Sequence, residues 1–308
     1  MRNKDLKSLL GVFLLLPLFL LFSNGDDMVR RALSTGRPVI KTFYQKLDNE
    51  EEGAPLDDPI LSLWREEWAR IGFEPKIITL EDAKRHPYYE IMKGVVEKAF
   101  PGDEPAHIYN RYCFYRYLAM AATGGGWHSD YDAMPAYFPL EKAHALPNEG
   151  KFTSFEQFIP SLISASAEEW TFIALLMMDQ LSKTKEEWPS DMFMLKDLTE
   201  IEGQTDIIVN LQKEENGKVM QPNAIMKEDG VFDCSKFLDT LVLHFSHSSM
   251  DDLFQSGLLP ISGLEEEDIQ DSFFRAAVTK KLMQKFRSEC KWPMLIAERE
   301  KQKLTEKK

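Results

Sequence analysis

The stretch RYLAMAATGGGWHSDYDAMP, Arg116 to Pro135, decides the fold. Its first half completes a predicted helix over 108–123, with Tyr112, Tyr115, Ala119 and Ala122 on one face and three glycines as its stop. Two aspartates one residue apart, Asp130 and Asp132, follow. Aspartates at i and i+2 share a face on a strand, and on a turn both converge on one cation. Such paired oxygens suit Mg²⁺ or Mn²⁺, which complete their shells with water and substrate phosphates. Glycines just upstream let the backbone take positive φ and pass close to a bulky ligand. The stretch therefore predicts a site for a metal-bridged diphosphate. A bare Asp-x-Asp in an acidic protein is most often a solvated turn. Here the apolar helix, the glycine triplet and the interleaved Trp127 and Tyr131 favour the site.

Outward from this stretch, strands and helices alternate. Val39, Ile40, Phe43 and Tyr44 predict a first strand, and 76–80 a second. Between them Leu61, Trp64, Trp68 and Ile71 recur at helical spacing, which makes the tryptophans core rather than a sugar platform. A short helix over 81–85 breaks at Pro87, and another covers 91–100. Beyond the aspartates, Ala133 to Leu140 reads as extended. Ser166 and Glu169 form a capping box for a helix with Trp170, Ile173, Met177 and Leu181 inward. TDIIVNL predicts a strand, Asn216-Gly217 a hairpin turn, and TLVLHFSH a buried strand ending in His247. A long amphipathic helix follows from Leu264 to Trp292, its acidic start Glu265–Asp268 meeting the helix dipole. The order argues for an α/β sheet.

The chain has 308 residues, 44% hydrophobic and 28% charged, with a net charge of −13. That is globular composition, and the acidity argues against nucleic acid as a partner. A bound metal reverses local charge, so a small anionic ligand stays open. Cys113, Cys234 and Cys290 contain no CxxC pair, so a zinc knuckle is not indicated and at most one disulfide is expected.

At the N-terminus, Arg2, Lys4 and Lys7 precede an apolar run from Leu9 to Phe22. At 1.5 Å per residue the run covers about 21 Å, short of a ~30 Å hydrocarbon core. With Ser23-Asn24-Gly25 behind it, residues 1–25 read as a signal peptide or a short signal anchor. Residues 26–37 read as a stem, 38–295 as the folded domain and 296–308 as a charged tail. Either form of the leader places the domain in the secretory pathway, in the Golgi or endoplasmic reticulum, with membrane contact through the leader if it is uncleaved.

The stretch R…GGGWHSDYD resembles the sugar-binding region of the family-32 glycosyltransferases, the DXD group that includes initiating mannosyltransferases. That pattern is an arginine, a helical turn or two, two glycines and an Asp-x-Asp; Arg116, Gly125, Gly126, Asp130 and Asp132 fill it. LWREEWARIGFEPKI resembles the family's tryptophan-bearing helix and second strand, and HFSHSS its late histidine-and-serine segment. The likeness spans residues 38–135 and, more loosely, 235–250. It departs at Cys113, where the family often has aspartate, at His128, where it has tyrosine, and by one residue between Arg116 and the glycine pair.

The resemblance implies a GT-A fold: Rossmann-like α/β, with a central, mainly parallel sheet flanked by helices. It implies a nucleotide-sugar donor, a glycan, glycolipid or glycoprotein acceptor, a divalent cation (Mn²⁺ or Mg²⁺) and retention at the anomeric carbon. In that assignment Asp132 ligates the metal, Asp130 contacts the metal or the donor, and Arg116, Gly125 and Gly126 line the donor. At the end of its predicted strand His247 is the expected third metal ligand or a diphosphate contact, favoured over His244, whose side chain alternation places opposite Leu243 and Phe245. His128 either touches the donor or packs in the loop, and Trp127 is expected in the core. Asp191 is expected to cap the next helix rather than face the reaction. Two rivals remain. A phosphohydrolase uses Asp-x-Asp directly after a hydrophobic strand with Thr or Val soon after, which GGGWHS does not supply. A carbohydrate-binding pseudoenzyme keeps the fold without turnover, as Cys113 would allow.

Overall fold

The computed structural model describes residues 36–46, 58–184, 189–200, 208–210, 219–237, 240–261, 263 and 271–291. The chain divides at Gly36, and all that follows belongs to the unit Arg37–Lys308. The Leu9–Phe22 run, most of the 26–37 stem, the Asn216-Gly217 turn, the Glu265–Asp268 run and the 296–308 tail lie outside the described residues.

The chain opens with β1 (Val39–Phe43), α1 (Pro59–Arg70) and β2 (Glu74–Ile78). Asp58 starts α1: its carboxylate accepts the Ile60 N–H at 3.0 Å, and Pro59 fills the first turn. Then come α2 (Leu80–Lys84), α3 (Tyr89–Ala99) and α4 (Pro105–Ala122). Strands β3 (Gly126–Ser129) and β4 (Ala133–Pro135) flank the two aspartates. After β5 (Thr153–Ser154) and β6 (Leu162–Ala165) lie α5 (Ala167–Lys183) and α6 (Asp191–Glu200). The short β7 (Val209–Asn210) and β8 (Val219–Met220) precede β9 (Val242–His244), α7 (His247–Gln255) and α8 (Ser272–Glu289).

The main sheet runs β2-β1-β3-β6-β5-β7. Strands β2, β1 and β3 are parallel, but β6 pairs antiparallel with both β3 and β5, while β7 joins β5 in parallel. The expected α/β class holds, and the mainly parallel sheet becomes a mixed one. A second sheet, β4-β9-β8, lies to one side. Alternate residues serve different layers. Trp127 and Leu162 face a core with α1, α7, α8 and the small sheet, whereas Ile163 and Ala165 face α3, α4, α5 and α6.

Trp64 and Trp68, fully buried on α1, are core as their spacing predicts. Each also spends its indole N–H on the site strands: Trp64 on the Ser129 hydroxyl at 3.3 Å and Trp68 on the Ala133 carbonyl at 3.1 Å. They bracket the turn that carries the aspartates. Ser166 caps α5 by accepting the Glu169 N–H at 3.2 Å, but the expected reciprocal bond is replaced. The Glu169 carboxylate accepts the Phe152 N–H at 3.2 Å instead.

Candidate metal centre

Helix α4 ends, and the chain reverses through Gly124, Gly125 and Gly126 at φ 88, 66 and 107. A side chain is strained at all three. A Cβ on Gly125 would also sit 2.5 Å from the Ala167 nitrogen and 2.6 Å from the Ser166 carbonyl carbon. The junction of β6 and α5, pressing on it, is by itself enough to require glycine at position 125. Gly126 has open space around its Cβ position. Lys41 from β1 closes the helix end, its ammonium donating to the carbonyls of Thr123 and Gly125, each at 2.7 Å.

Strand β3 then delivers Asp130 at its carboxyl end, where ligands of α/β sheets gather. The Asp130 N–H is held by the Ser161 carbonyl at 2.9 Å, and Ala133 N–H returns to the Asp130 carbonyl at 3.0 Å. Asp130, Tyr131, Asp132 and Ala133 thus form a β-turn with both carboxylates on it. In the ladder between β4 and β9, His244 lies opposite Ala133, one residue past Asp132. Ligand atoms of Asp130, Asp132 and His244 all fall within 4.8 Å of one another.

The histidine in this cluster is His244, not His247. The register of β9 ends at His244 and sets it beside Asp132. His247 is the first residue of α7, and its Nε2 lies 2.8 Å from Arg275 Nη1. It stands one step out, against the arginine that pairs with Asp132.

Two arginines flank the aspartates. Arg116 donates to Asp130 at 2.9 Å and also to Asp191, which Tyr117 approaches at 3.3 Å through its hydroxyl. Asp191 is thus buried beside the site rather than capping α6; the Ser190 hydroxyl accepts the Phe193 N–H at 3.3 Å. Arg275 donates to Asp132 and, at 2.7 Å, to the Phe245 carbonyl. His244 Nδ1 lies 2.9 Å from Glu156 Oε2, and its Nε2 3.5 Å from Asp132 Oδ1. Sequence reasoning missed Glu156 and Arg275. Each is a lone charge in a loop or on a helix, with no local pattern to mark it. Trp127 is core, edge-on to Phe138 and tilted against Phe155, with its N–H on the Ala143 carbonyl at 3.1 Å. His128 is buried with Nε2 3.9 Å from Asp130 Oδ1. Burial, with Arg116 nearby, holds it neutral.

The electrostatics reveal a charge deficit. Asp130, Asp132, Asp191 and Glu156 set four carboxylates against the guanidiniums of Arg116 and Arg275. With His244 neutral, two negative charges remain uncompensated, and buried charge must be paired. One divalent cation would supply both. Without one, protons fill the gap. Burial, reinforced by Asp132, pushes the Asp130 carboxyl up to about 7 against the pull of Arg116. Burial works against protonated His244, but Glu156 and Asp132 outweigh it and hold the imidazole well above its ordinary value. Burial alone would also raise Asp132; Arg275 and His244 reverse that and hold it below the usual carboxylate range. Two carboxylates and an imidazole are a donor set that could hold a divalent cation.

Fold and site together define an α/β protein with a buried carboxylate–histidine cluster at a strand end. The chain belongs to the family described as Domain of unknown function (DUF8765), whose model matches residues 28–282. No curated protein and no solved structure matches it.

Proposed function

We propose that the protein is a metal-dependent glycosyltransferase of GT-A type. It moves a sugar from a nucleotide-diphosphate donor to a glycan, lipid or protein acceptor, with retention. The observation that carries this is the cluster of Asp130, Asp132 and His244, within 4.8 Å, at the carboxyl end of β3. A divalent cation such as Mn²⁺, if held there, would supply Lewis-acid neutralisation of the charge on a departing nucleoside diphosphate. Asp130 and Asp132 hold the cation, His244 completes the protein's share, and Arg116 presents Asp130 and faces the sugar. The Cys234–Cys290 disulfide suits an oxidising compartment and supports the secretory reading of the leader.

A second reading has one observation in its favour. Asp130 follows β3 directly, as the acidic pair of a phosphohydrolase follows its strand. The Thr or Val such enzymes place soon after is absent from Ala133-Met134. One assay separates these readings. The protein is incubated with a panel of nucleotide-sugars and phosphomonoesters, with and without Mn²⁺. Glycosyl transfer predicts Mn²⁺-dependent release of nucleoside diphosphate from one donor. Release of inorganic phosphate alone supports the hydrolase, and donor binding without release identifies a pseudoenzyme.

A further inference from the structure

Beside the cluster lies a carboxylate that the proposed transfer does not use. Glu156 is buried in the loop between β5 and β6, and its Oε2 lies 2.9 Å from His244 Nδ1. The Ser161 hydroxyl donates to the same oxygen. The Ser161 carbonyl, four atoms along the same residue's frame, accepts the Asp130 N–H at 2.9 Å. One loop therefore grips both Asp130 and His244 from outside the cluster.

The loop is shaped for that grip. Gln157, next to Glu156, holds φ 52, the left-handed region that a non-glycine residue occupies only when its surroundings enforce it. Its carbonyl accepts the Ser154 hydroxyl, and the loop closes through Phe155 N–H to the Leu162 carbonyl at 3.1 Å and Ile159 N–H to the Glu156 carbonyl at 2.8 Å. The strain sits in the six residues that place Glu156 and Ser161, between two strands of the main sheet.

A neutral imidazole carries one N–H. Once a cation displaces the second proton, a carboxylate acceptor at Nδ1 keeps the remaining proton there and leaves the Nε2 lone pair free for the cation, on the side of Asp132, 3.5 Å away. Outer carboxylates orient metal-binding histidines and raise their basicity in this way. We propose that Glu156 is the positioning residue of the metal centre: it fixes His244 so that Nε2 is its ligand atom. This rests on the metal-binding reading above. Glu156 itself touches neither metal nor substrate; it acts through His244, while Ser161 holds it in place.

The test uses the full chain loaded with Mn²⁺ alone. Mn²⁺ affinity is measured by titration, and electron spin-echo envelope modulation reads the ¹⁴N coupling of a directly bound imidazole. The wild type is expected to bind Mn²⁺ with ¹⁴N coupling, and His244→Ala to lose that coupling. Glu156→Ala is expected to bind roughly 10–100-fold more weakly, with the coupling lost. Glu156→Gln keeps an acceptor for the Nδ1 proton without the charge, so it should keep the coupling but bind more weakly than wild type. Should the alanine variant fail to fold, Glu156→Gln decides by its affinity. A folded Glu156→Ala with wild-type affinity and coupling overturns the proposal, as does a Glu156→Gln with wild-type affinity. Wild type that binds Mn²⁺ without ¹⁴N coupling also overturns it but leaves a carboxylate metal site standing. Wild type that takes no Mn²⁺ brings down the metal reading, and this proposal with it.

Discussion

Asp132→Asn, in protein stripped of metal, removes a charge from a buried pair. Arg275 loses its carboxylate partner and keeps the Phe245 carbonyl at 2.7 Å and His247 at 2.8 Å. Removing one partner of a buried ion pair costs about 3–5 kcal/mol, because the other charge is left uncompensated. The two remaining contacts place this case at the lower end, about 3 kcal/mol. For a domain of this size that lowers Tm by roughly 6–12 °C. Thermal unfolding followed by circular dichroism in EDTA reads it directly. The companion variant Asp132→Asn/Arg275→Met removes the stranded charge as well and should recover most of the loss. The reasoning is refuted if the single variant melts within about 2 °C of wild type, or if the double variant is the less stable of the two.

Other perturbations probe separate parts of the account. Gly125→Ala meets positive φ and backbone atoms at 2.5 Å, so it should cost more than the roughly 1–2 kcal/mol of left-handed strain alone, whereas Gly126→Ala should cost no more than that strain; urea unfolding compares them. Replacing Cys234 and Cys290 by serine opens a link across 56 residues and should cost about 4 kcal/mol by loop entropy, read from the shift of the denaturation midpoint. The Asp130 carboxyl, raised to about 7 from its ordinary 3.8, contributes stability that is whole below pH ~4 and is lost as pH rises through 7. In EDTA, Asp130→Asn should therefore flatten the pH dependence of Tm across that window; an unchanged slope contradicts the burial argument.

The parts legible in sequence were those with a local period or a local stop. The Trp64/Trp68 stripe, the glycine-terminated helix and the paired aspartates each announce themselves within a few residues, and the described elements fall where those patterns put them. The pairing of β3 with β6 is antiparallel across 33 or more residues, and nothing local encodes its direction. The steric demand for Gly125 comes from a strand-helix junction about forty residues away, which no local pattern announces. The choice between His244 and His247 turned on the ladder register with Ala133, which is set by a strand over a hundred residues upstream. Glu156 and Arg275 join the site only through tertiary contact.

In the proposed function Asp130, Asp132 and His244 hold a divalent cation that meets a diphosphate. Crystals grown with Mn²⁺ and a nucleoside diphosphate, with data collected at the manganese absorption edge, test it most directly. One anomalous peak is expected, bounded by both carboxylates and His244 Nε2, with diphosphate oxygens on its open side. A peak elsewhere, or none at all with Arg116 and Arg275 still closed on the aspartates, would contradict it.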